Sequence, residues 1–210
     1  MNNCPNCPYP HSPCISTSMT ECKVTTDQLI KQINDALCSL YTNDYYLIEK
    51  EVNEVCISTH FWYYFKSMFS YEYVGYNIDP EYNRNGTKCK YFDMDKENKL
   101  HSAKPDLIIH KRSCNKYNFA YFEFKGYWNN RKEDEENDEK KLIAFTSPHD
   151  LFFYDCKFFS YHYTHGIKIK LYLEYADITW YSNGKVKPEL SYRWDYDKSQ
   201  TPQGFPILPG

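Results

Sequence analysis

The sequence predicts a single α/β domain, and three observations lead to this fold class. The chain has 210 residues, a length that suits one domain with small extensions. Apolar residues recur at helical spacing between residues 25 and 41 and again between 47 and 69. β-Prone runs then occupy the middle and the C-terminal half. We expect the domain to span residues 25–194, between an extension over 1–24 and a tail over 195–210.

The extension over residues 1–24 contains soft metal ligands at close spacing. They are Cys4, Cys7, His11 and Cys14, with Cys22 nearby. Zinc accepts a Cys₃His set, and four protein ligands would leave no open position for catalysis. The prolines between these residues make the segment stiff and turn-rich. The alternative to a zinc site is a flexible, partly disordered leader. A small structural Zn²⁺ site and a disordered leader therefore both stay open for this segment.

Two helices are predicted before the first strand. The first begins at Thr25, which with Gln28 resembles a capping box. The second runs from about residue 47 to 69, and two partly apolar stripes indicate that it is mostly buried. Glu54 on this helix would then need a partner or a metal, because a buried carboxylate is costly. His60 is expected to be a core histidine, or one that supports the site from behind, rather than a phosphate contact.

The stretch over residues 104–126 predicts a β-hairpin, with two β-prone runs around a polar turn. A turn centred between Cys114 and Asn115 places Asp106 directly opposite Glu123. Side chains opposed in this way have Cβ atoms about 4.5–5.5 Å apart. Two carboxylates at that distance are suited to bridge a hard divalent cation such as Mg²⁺.

The strand after the turn separates charged from apolar side chains. Glu123 and Lys125 are two residues apart and so share one face of a strand. Phe122 and Phe124 then point to the opposite, buried face. The hairpin therefore gathers two carboxylates and an ammonium group on one surface. The same pattern is also what an ordinary solvent-exposed strand face would show.

Pro-Asp at residues 105–106, followed by Glu-Phe-Lys at 123–125, resembles the signature of the PD-(D/E)XK nuclease superfamily. Residues 76–86 and the helical stretch over 53–60 resemble segments of small stand-alone bacterial proteins of that superfamily. The similarity covers roughly residues 45–182. It implies a restriction-endonuclease-like domain with a central mixed β-sheet flanked by helices.

The resemblance also implies an activity, the hydrolysis of phosphodiester bonds with Mg²⁺ or Mn²⁺. The implied metal ligands are Asp106, Glu123 and the backbone carbonyl of Phe124. Lys125 would assist the attacking water, and a glutamate on the first core helix would complete the site, Glu54 or its rival Glu51. Carboxylates suit Mg²⁺ or Mn²⁺ better than Zn²⁺, which prefers nitrogen and sulfur. A nearby ammonium group stabilises developing negative charge.

The segments between the helices and the hairpin, and after it, carry weaker signals. A first strand is predicted over residues 73–82, followed by a loop or hairpin excursion over 83–99. The charged run over 128–141 lacks a core pattern, so a solvated loop is expected, leading into a helix over 138–147. The residues expected to face inward from that helix are Leu142, Ile143 and Phe145.

The C-terminal third reads as strands. Residues 151–163 are aromatic-rich and strand-like, and residues 167–174 alternate cleanly between apolar and polar side chains. Asn183-Gly184 is a strong hairpin-turn signal.

Composition limits the partners that the chain can have. The net charge is −3, so a nucleic-acid interface would have to rest on a local basic patch. The candidates around the hairpin are Lys104, Lys111, Arg112, Lys116 and Arg84. No apolar run approaches the ~20 residues of a membrane span, and residues 1–25 lack a secretory signal. A cytoplasmic location and mostly free thiols among the nine cysteines are therefore expected.

Two functional readings follow from these patterns. The first is a metal-dependent nuclease acting on nucleic acid, with DNA favoured over RNA. The second is a non-catalytic nucleic-acid-binding or assembly protein that keeps the same fold. Either would allow a homodimer or a partner protein, and neither involves a membrane.

Overall fold

The computed structural model describes residues 24–68, 75–85, 88–94, 100–112, 117–149, 151–153, 156–158 and 161–197. The helices are α1 (Thr26–Asn43), α2 (Tyr45–Glu49), α3 (Glu54–Ser67) and α4 (Lys132–Thr146), and a short 3₁₀ helix spans Pro188–Leu190. The strands are β1 (Asn77–Pro80), β2 (Arg84–Asn85), β3 (Lys88–Met94), β4 (Leu100–Ala103), β5 (Leu107–His110), β6 (Ala120–Gly126), β7 (Leu151–Phe153), β8 (Cys156–Phe158), β9 (His165–Leu171), β10 (Tyr175–Ser182), β11 (Lys185–Val186) and β12 (Tyr192–Asp195).

The central sheet has seven strands in the order β1-β5-β6-β9-β10-β11, and β12 pairs with β10. The pair β6 and β9 is parallel, whereas the other neighbours are antiparallel. Helices α1 and α3 share a core with one face of this sheet, and α4 shares a second core with the other face. The predicted α/β domain with a central mixed sheet and flanking helices is confirmed. None of the described helices is long and apolar enough to cross a membrane.

Helix α1 forms because its sequence supplies both a cap and a buried stripe. Thr25 and Gln28 make the predicted capping box, in which each side chain bonds the other residue's backbone N–H, at 3.2 and 2.8 Å. Leu29, Ile33 and Leu37 recur at helical spacing and are fully buried. The N-terminal end of the domain is thereby anchored to the core.

The predicted helix over residues 47–69 is instead two helices, α2 and α3. The chain breaks at Glu51, which has a positive φ of 54°. Asn53 then caps α3, since its side chain accepts a hydrogen bond from the N–H of Cys56 at 2.9 Å. His60 is not a core histidine, because 43% of its side chain is exposed and its Nδ1 lies 2.9 Å from Asp44 Oδ2. The alternative, a histidine that supports the site from behind, stays a prediction.

Strand β6 is covered on both faces. Phe122 and Phe124 point toward α3, where the Phe61 ring lies 6.4 Å and 4.9 Å from theirs. This confirms the buried face predicted from the alternation. On the other face the Tyr121 ring contacts the Phe145 ring of α4 at 4.7 Å. The charged face of β6, which an ordinary strand pattern would leave exposed to solvent, therefore lies under a helix.

Helix α4 begins at Lys132, so the solvated loop predicted over residues 128–141 is wrong for most of that run. The acidic residues of the first turn are favoured near a helix N-terminus by the helix dipole. Leu142 and Phe145 are fully buried as predicted, but Ile143 is 39% exposed. Two apolar anchors and a favourable charge distribution are thus enough to order a charged segment.

Smaller sheets and turns complete the fold. Strands β2, β3 and β4 form a three-stranded sheet, which confirms the hairpin excursion predicted over residues 83–99. The first strand is shorter than the predicted 73–82, and the strand-like run over 151–163 contains the hairpin β7–β8. Asn183 and Gly184 both have positive φ, 54° and 69°, and connect β10 to β11 as the turn signal predicts.

Candidate active site

The predicted hairpin register is confirmed by the pairing of β5 with β6. Leu107 pairs with Phe122, and the next two pairs follow the same register. Continued by one residue, this register brings Asp106 opposite Glu123. Asp106 lies just before β5, and its Oδ2 accepts a hydrogen bond from the N–H of Phe124 at 2.6 Å. The Pro-Asp turn is thereby fixed against the strand that carries the other motif residues.

Glu123 is a buried carboxylate with only 3% of its surface exposed. Its Oε1 accepts a hydrogen bond from the hydroxyl of Tyr121, and its Oε2 lies 3.0 Å from Nζ of Lys141. Burial raises the pKa of Glu123 to about 8, and the nearby carboxylate of Asp106 adds to the shift. Burial likewise raises the pKa of Asp106 to about 7, although the N–H of Phe124 opposes it. The two motif carboxylates therefore form an electrostatically coupled pair.

Lys125 lies on the same face as Glu123, as predicted, and is 5% exposed. Its Nζ is 3.0 Å from Asp138 Oδ2 and 3.5 Å from Glu54 Oε2. Burial alone would lower the pKa of Lys125, but the charge of Asp138 and its hydrogen bond raise it above the ordinary value. The lysine is therefore held as an ammonium group. The exposed strand pair that was the alternative is excluded by this burial.

Glu54 reaches the motif strand from the first residue of α3. Its Oε1 accepts hydrogen bonds from the N–H of Gly126 at 2.9 Å and from Nδ2 of Asn129 at 3.3 Å. The rival Glu51 is exposed and interacts with the Tyr127 hydroxyl at 3.2 Å. Of the two glutamates, Glu54 is the one that contacts the motif lysine.

The backbone carbonyl of Phe124 is the third implied metal ligand, and it points to the edge of β6 where Asp106 and Glu54 lie. In a β-strand the N–H and C=O of one residue point to the same side. The N–H of Phe124 bonds Asp106, and the N–H of Gly126 bonds Glu54. The Phe124 carbonyl therefore points to the side of β6 on which both carboxylates lie.

Two residues of α4 belong to the same cluster and were not predicted as site residues. Lys141 Nζ lies 2.7 Å from Asp138 Oδ1 as well as 3.0 Å from Glu123, and these acids raise its pKa. Asp138 is 6% exposed and touches both lysines of the site. Their i, i+3 spacing puts Asp138 and Lys141 on one helix face. That spacing shows that the two side chains are neighbours once the charged run is known to be helical, but it does not show that they reach β6.

The cluster suits a divalent cation, although it is not a closed metal cage. Within the residues that the structure describes, no group of three or more His, Cys, Asp or Glu side chains is placed to hold a metal ion. Mg²⁺ does not require one, since it commonly uses one or two carboxylates together with waters and substrate phosphates. The charged groups of the cluster are the carboxylates of Asp106, Glu123, Asp138 and Glu54 and the ammonium groups of Lys125 and Lys141. When ionised, the carboxylates leave a surplus of negative charge that a divalent cation would balance.

Three of the basic residues predicted to form a nucleic-acid patch are engaged with neighbours. Arg112 forms two hydrogen bonds to Asp79, and Lys104 Nζ lies 2.6 Å from Glu81. Lys111 is buried against aromatic rings. Arg84 remains exposed, and residue 116 lies outside the described residues. The positive charge nearest the motif therefore comes from the lysines of β6 and α4.

The cysteines of the N-terminal extension, and the zinc site predicted there, lie outside the described residues. Cys38, Cys56 and Cys89 are free thiols, as expected. Comparisons of the chain with protein-family models, with curated proteins and with solved structures find no match. Function is therefore argued from the geometry of the site.

Proposed function

We propose that the protein is a metal-dependent nuclease of the PD-(D/E)XK type, which hydrolyses phosphodiester bonds, in DNA rather than RNA, in the cytoplasm. The observation that carries this proposal is the meeting of Asp106, Glu123 and Lys125 at one end of the β5–β6 hairpin, in the register that their spacing predicts. Glu54 completes the arrangement from α3. These are the residue types that phosphodiester hydrolysis with a hard cation requires.

The metal would be held by Asp106, Glu123 and the Phe124 carbonyl. When bound, it supplies a polarised phosphoryl oxygen and a water of lowered pKa. The other groups act by position. Lys125 is held between two acids and presents a fixed positive charge to the attacking water and the phosphoryl oxygens. Asp138 and Glu54 keep this lysine in place, so its side chain is ordered before substrate arrives.

The test is cleavage of supercoiled plasmid and labelled single strands in Mg²⁺, Mn²⁺ or EDTA. We expect metal-dependent cutting by the natural chain and a loss of about 100-fold or more in Asp106→Ala and Lys125→Ala. Glu54→Gln should lose activity, whereas the matched variant Glu51→Gln should keep it, because Glu51 does not contact the motif lysine. Retained cutting in Asp106→Ala would contradict the proposal.

A second candidate is a non-catalytic nucleic-acid-binding protein that keeps the fold. One observation favours it: the Lys141 ammonium already lies 3.0 Å from Glu123 and 2.7 Å from Asp138, in a position where it neutralises the acids. For such a protein the same assays would show no cutting in any metal. Oligonucleotide binding would then persist in Asp106→Ala.

A further inference from the structure

A cavity of about 430 Å³ lies beside the candidate active site, between α4 and the sheet formed by β3 and β4. Its lining includes Lys125, Asp138 and Lys141, which belong to the charged cluster of the site, and the further carboxylate of Asp134. Lys141 also contacts the motif carboxylate of Glu123. Phe92 and His101 line the same cavity, so aromatic rings lie beside the proposed catalytic groups.

The other lining residues offer groups that can recognise a nucleobase. The rings of Phe92 and His101 lie edge to face, with centroids 6.0 Å apart. Ser102 and Asn137 add a hydroxyl and an amide, which can each donate and accept hydrogen bonds. An aromatic wall with a few polar groups is the usual environment of a base that has left its stack.

The size of the cavity limits what can enter it. Pockets for small organic ligands have volumes of about 300–1,000 Å³, which suits one nucleotide. A base inside a duplex is stacked on both faces and paired along its edge, so it must be unpaired before it can enter a pocket. The ammonium groups of Lys125 and Lys141, which lie beside the carboxylates of Asp134 and Asp138, match the phosphate charge of the same nucleotide.

We propose that this cavity takes one unpaired nucleotide of the substrate, so that the enzyme acts on single-stranded or locally unpaired nucleic acid. This inference rests on the proposed nuclease function and specifies its substrate class. Phe92 lies against the base, Asn137 bonds its edge, and Lys125 and Lys141 receive the phosphate. Strands β3 and β4, inserted before the motif hairpin, thereby become the part of the fold that selects the substrate.

The first experiment compares cleavage rates, with Mn²⁺, of one labelled strand in three forms: single, in a perfect duplex and in a duplex with a bulge. We expect the single strand and the bulge to be cut about tenfold faster than the perfect duplex or more. Phe92→Leu and Asn137→Ala should each bring the cleavage rate of the single strand close to that of the perfect duplex. The control is Tyr63→Leu. The Tyr63 ring is 65% exposed on α3, a helix that packs against the opposite face of the sheet, so its removal should leave the preference unchanged.

Phe92 is 8% exposed and packs in the core, so thermal unfolding of Phe92→Leu must be measured alongside. Asn137→Ala, at a partly exposed helix position, carries the test if the other variant unfolds. If the natural chain cuts the single strand and the perfect duplex equally fast, the proposal that the cavity takes an unpaired nucleotide is wrong, and the proposed nuclease function is unaffected. An unchanged preference in Asn137→Ala and a folded Phe92→Leu would also overturn the proposal for the cavity.

A binding measurement separates failure of the pocket from failure of the nuclease. Asp106→Asn, which alters no residue lining the cavity, is titrated in Ca²⁺ against labelled single strand and duplex, with fluorescence anisotropy as the readout. If this chain binds the single strand more tightly than the duplex, and the added change Asn137→Ala removes that preference, the pocket is supported even if the natural chain cuts no nucleic acid. Equal affinity for both forms overturns it.

Discussion

Asp138 lies between two ammonium groups in an interior position, and its removal would leave both without their common partner. Its oxygens are 3.0 Å from Lys125 and 2.7 Å from Lys141, and the residue is 6% exposed. Breaking a buried ion pair from one side costs about 3 kcal/mol or more, because the remaining charge stays desolvated. We expect Asp138→Ala to lower the free energy of unfolding by about this amount in urea denaturation.

The matched control for this prediction is Asp35→Ala. Asp35 pairs with Lys31 across one turn of α1, where the two side chains are 44% and 75% exposed. An exposed pair of this kind contributes about 0.5 kcal/mol or less, since water and salt screen it. Similar losses in the two variants would show that the interior network has no special role in stability.

Single residues also show where sequence reasoning succeeds and where it stops. The positions of Asp106 and Glu123 could be predicted because strand alternation and turn position fix which side chains are opposed. Asp138 and Lys141 could not be assigned in the same way, since they come from a different element. Their approach to β6 depends on how a helix docks on the sheet, which local spacing does not encode.

At the scale of elements, the start of α3 depends on one capping side chain. Asn53 accepts a hydrogen bond from the N–H of Cys56, and the next residue, Glu54, reaches Gly126 and the motif lysine. Replacing such a cap by alanine costs about 1 kcal/mol. Asn53→Ala should lower the midpoint of thermal unfolding and reduce cleavage, because Glu54 loses its fixed position. Asn53→Asp, which can also cap, should restore both.

The sheet β2-β3-β4 contains a buried lysine that makes its stability depend on pH. Lys90 is 2% exposed, and its Nζ donates hydrogen bonds to the carbonyls of Arg84 and Tyr82 at 2.9 and 3.2 Å. Burial lowers its pKa to about 7, from 10.5. At a pH between about 7 and 10.5, Lys90 carries its proton in the unfolded chain but not in the folded chain. The contribution of Lys90 to stability therefore rises with pH over that range.

Lys90→Met removes this titration. We expect the free energy of unfolding of the natural chain, relative to Lys90→Met, to increase between pH 7 and about 10. Urea denaturation of both chains at several pH values provides the comparison. Parallel pH profiles for the two chains would mean that Lys90 keeps an ordinary pKa in the folded protein.

The elements differ in how much of them could be predicted. Helix α1 and the turn at Asn183-Gly184 follow from a capping box and from residues that accept positive φ, so both are local properties. The break between α2 and α3 needed recognition of Asn53 as a cap inside an otherwise continuous apolar pattern. Helix α4 is stabilised mainly by docking of Leu142 and Phe145, a tertiary effect that a charged sequence conceals.

At the scale of the whole molecule, the residues that the structure describes begin with the last residue before the capping box. Val24 is 7% exposed within the main core, and Thr25 caps α1 directly after it. We expect a chain lacking residues 1–23 to keep the thermal unfolding midpoint and the cleavage activity of the full chain. A large fall in either would show that the extension is part of the domain.

The same pair of chains tests the zinc site that stays a prediction for the extension. If Cys4, Cys7, His11 and Cys14 bind zinc, elemental analysis finds one zinc per full chain and none in the shortened chain. Full-length protein without zinc would leave the disordered leader as the description of this segment. The result is independent of the nuclease proposal, since the proposed catalytic residues lie in the domain.

The parallel pairing of β6 with β9 has a consequence for the protein's synthesis. Strand β6 carries Glu123 and Lys125, but one edge of it is completed only by residues 165–171. In a chain that ends before β9, that edge is an open row of backbone groups on a strand rich in aromatic side chains, which readily pairs with other chains. Truncated products that end before His165 should therefore aggregate, and the motif residues gain their surroundings only when nearly the whole domain has emerged.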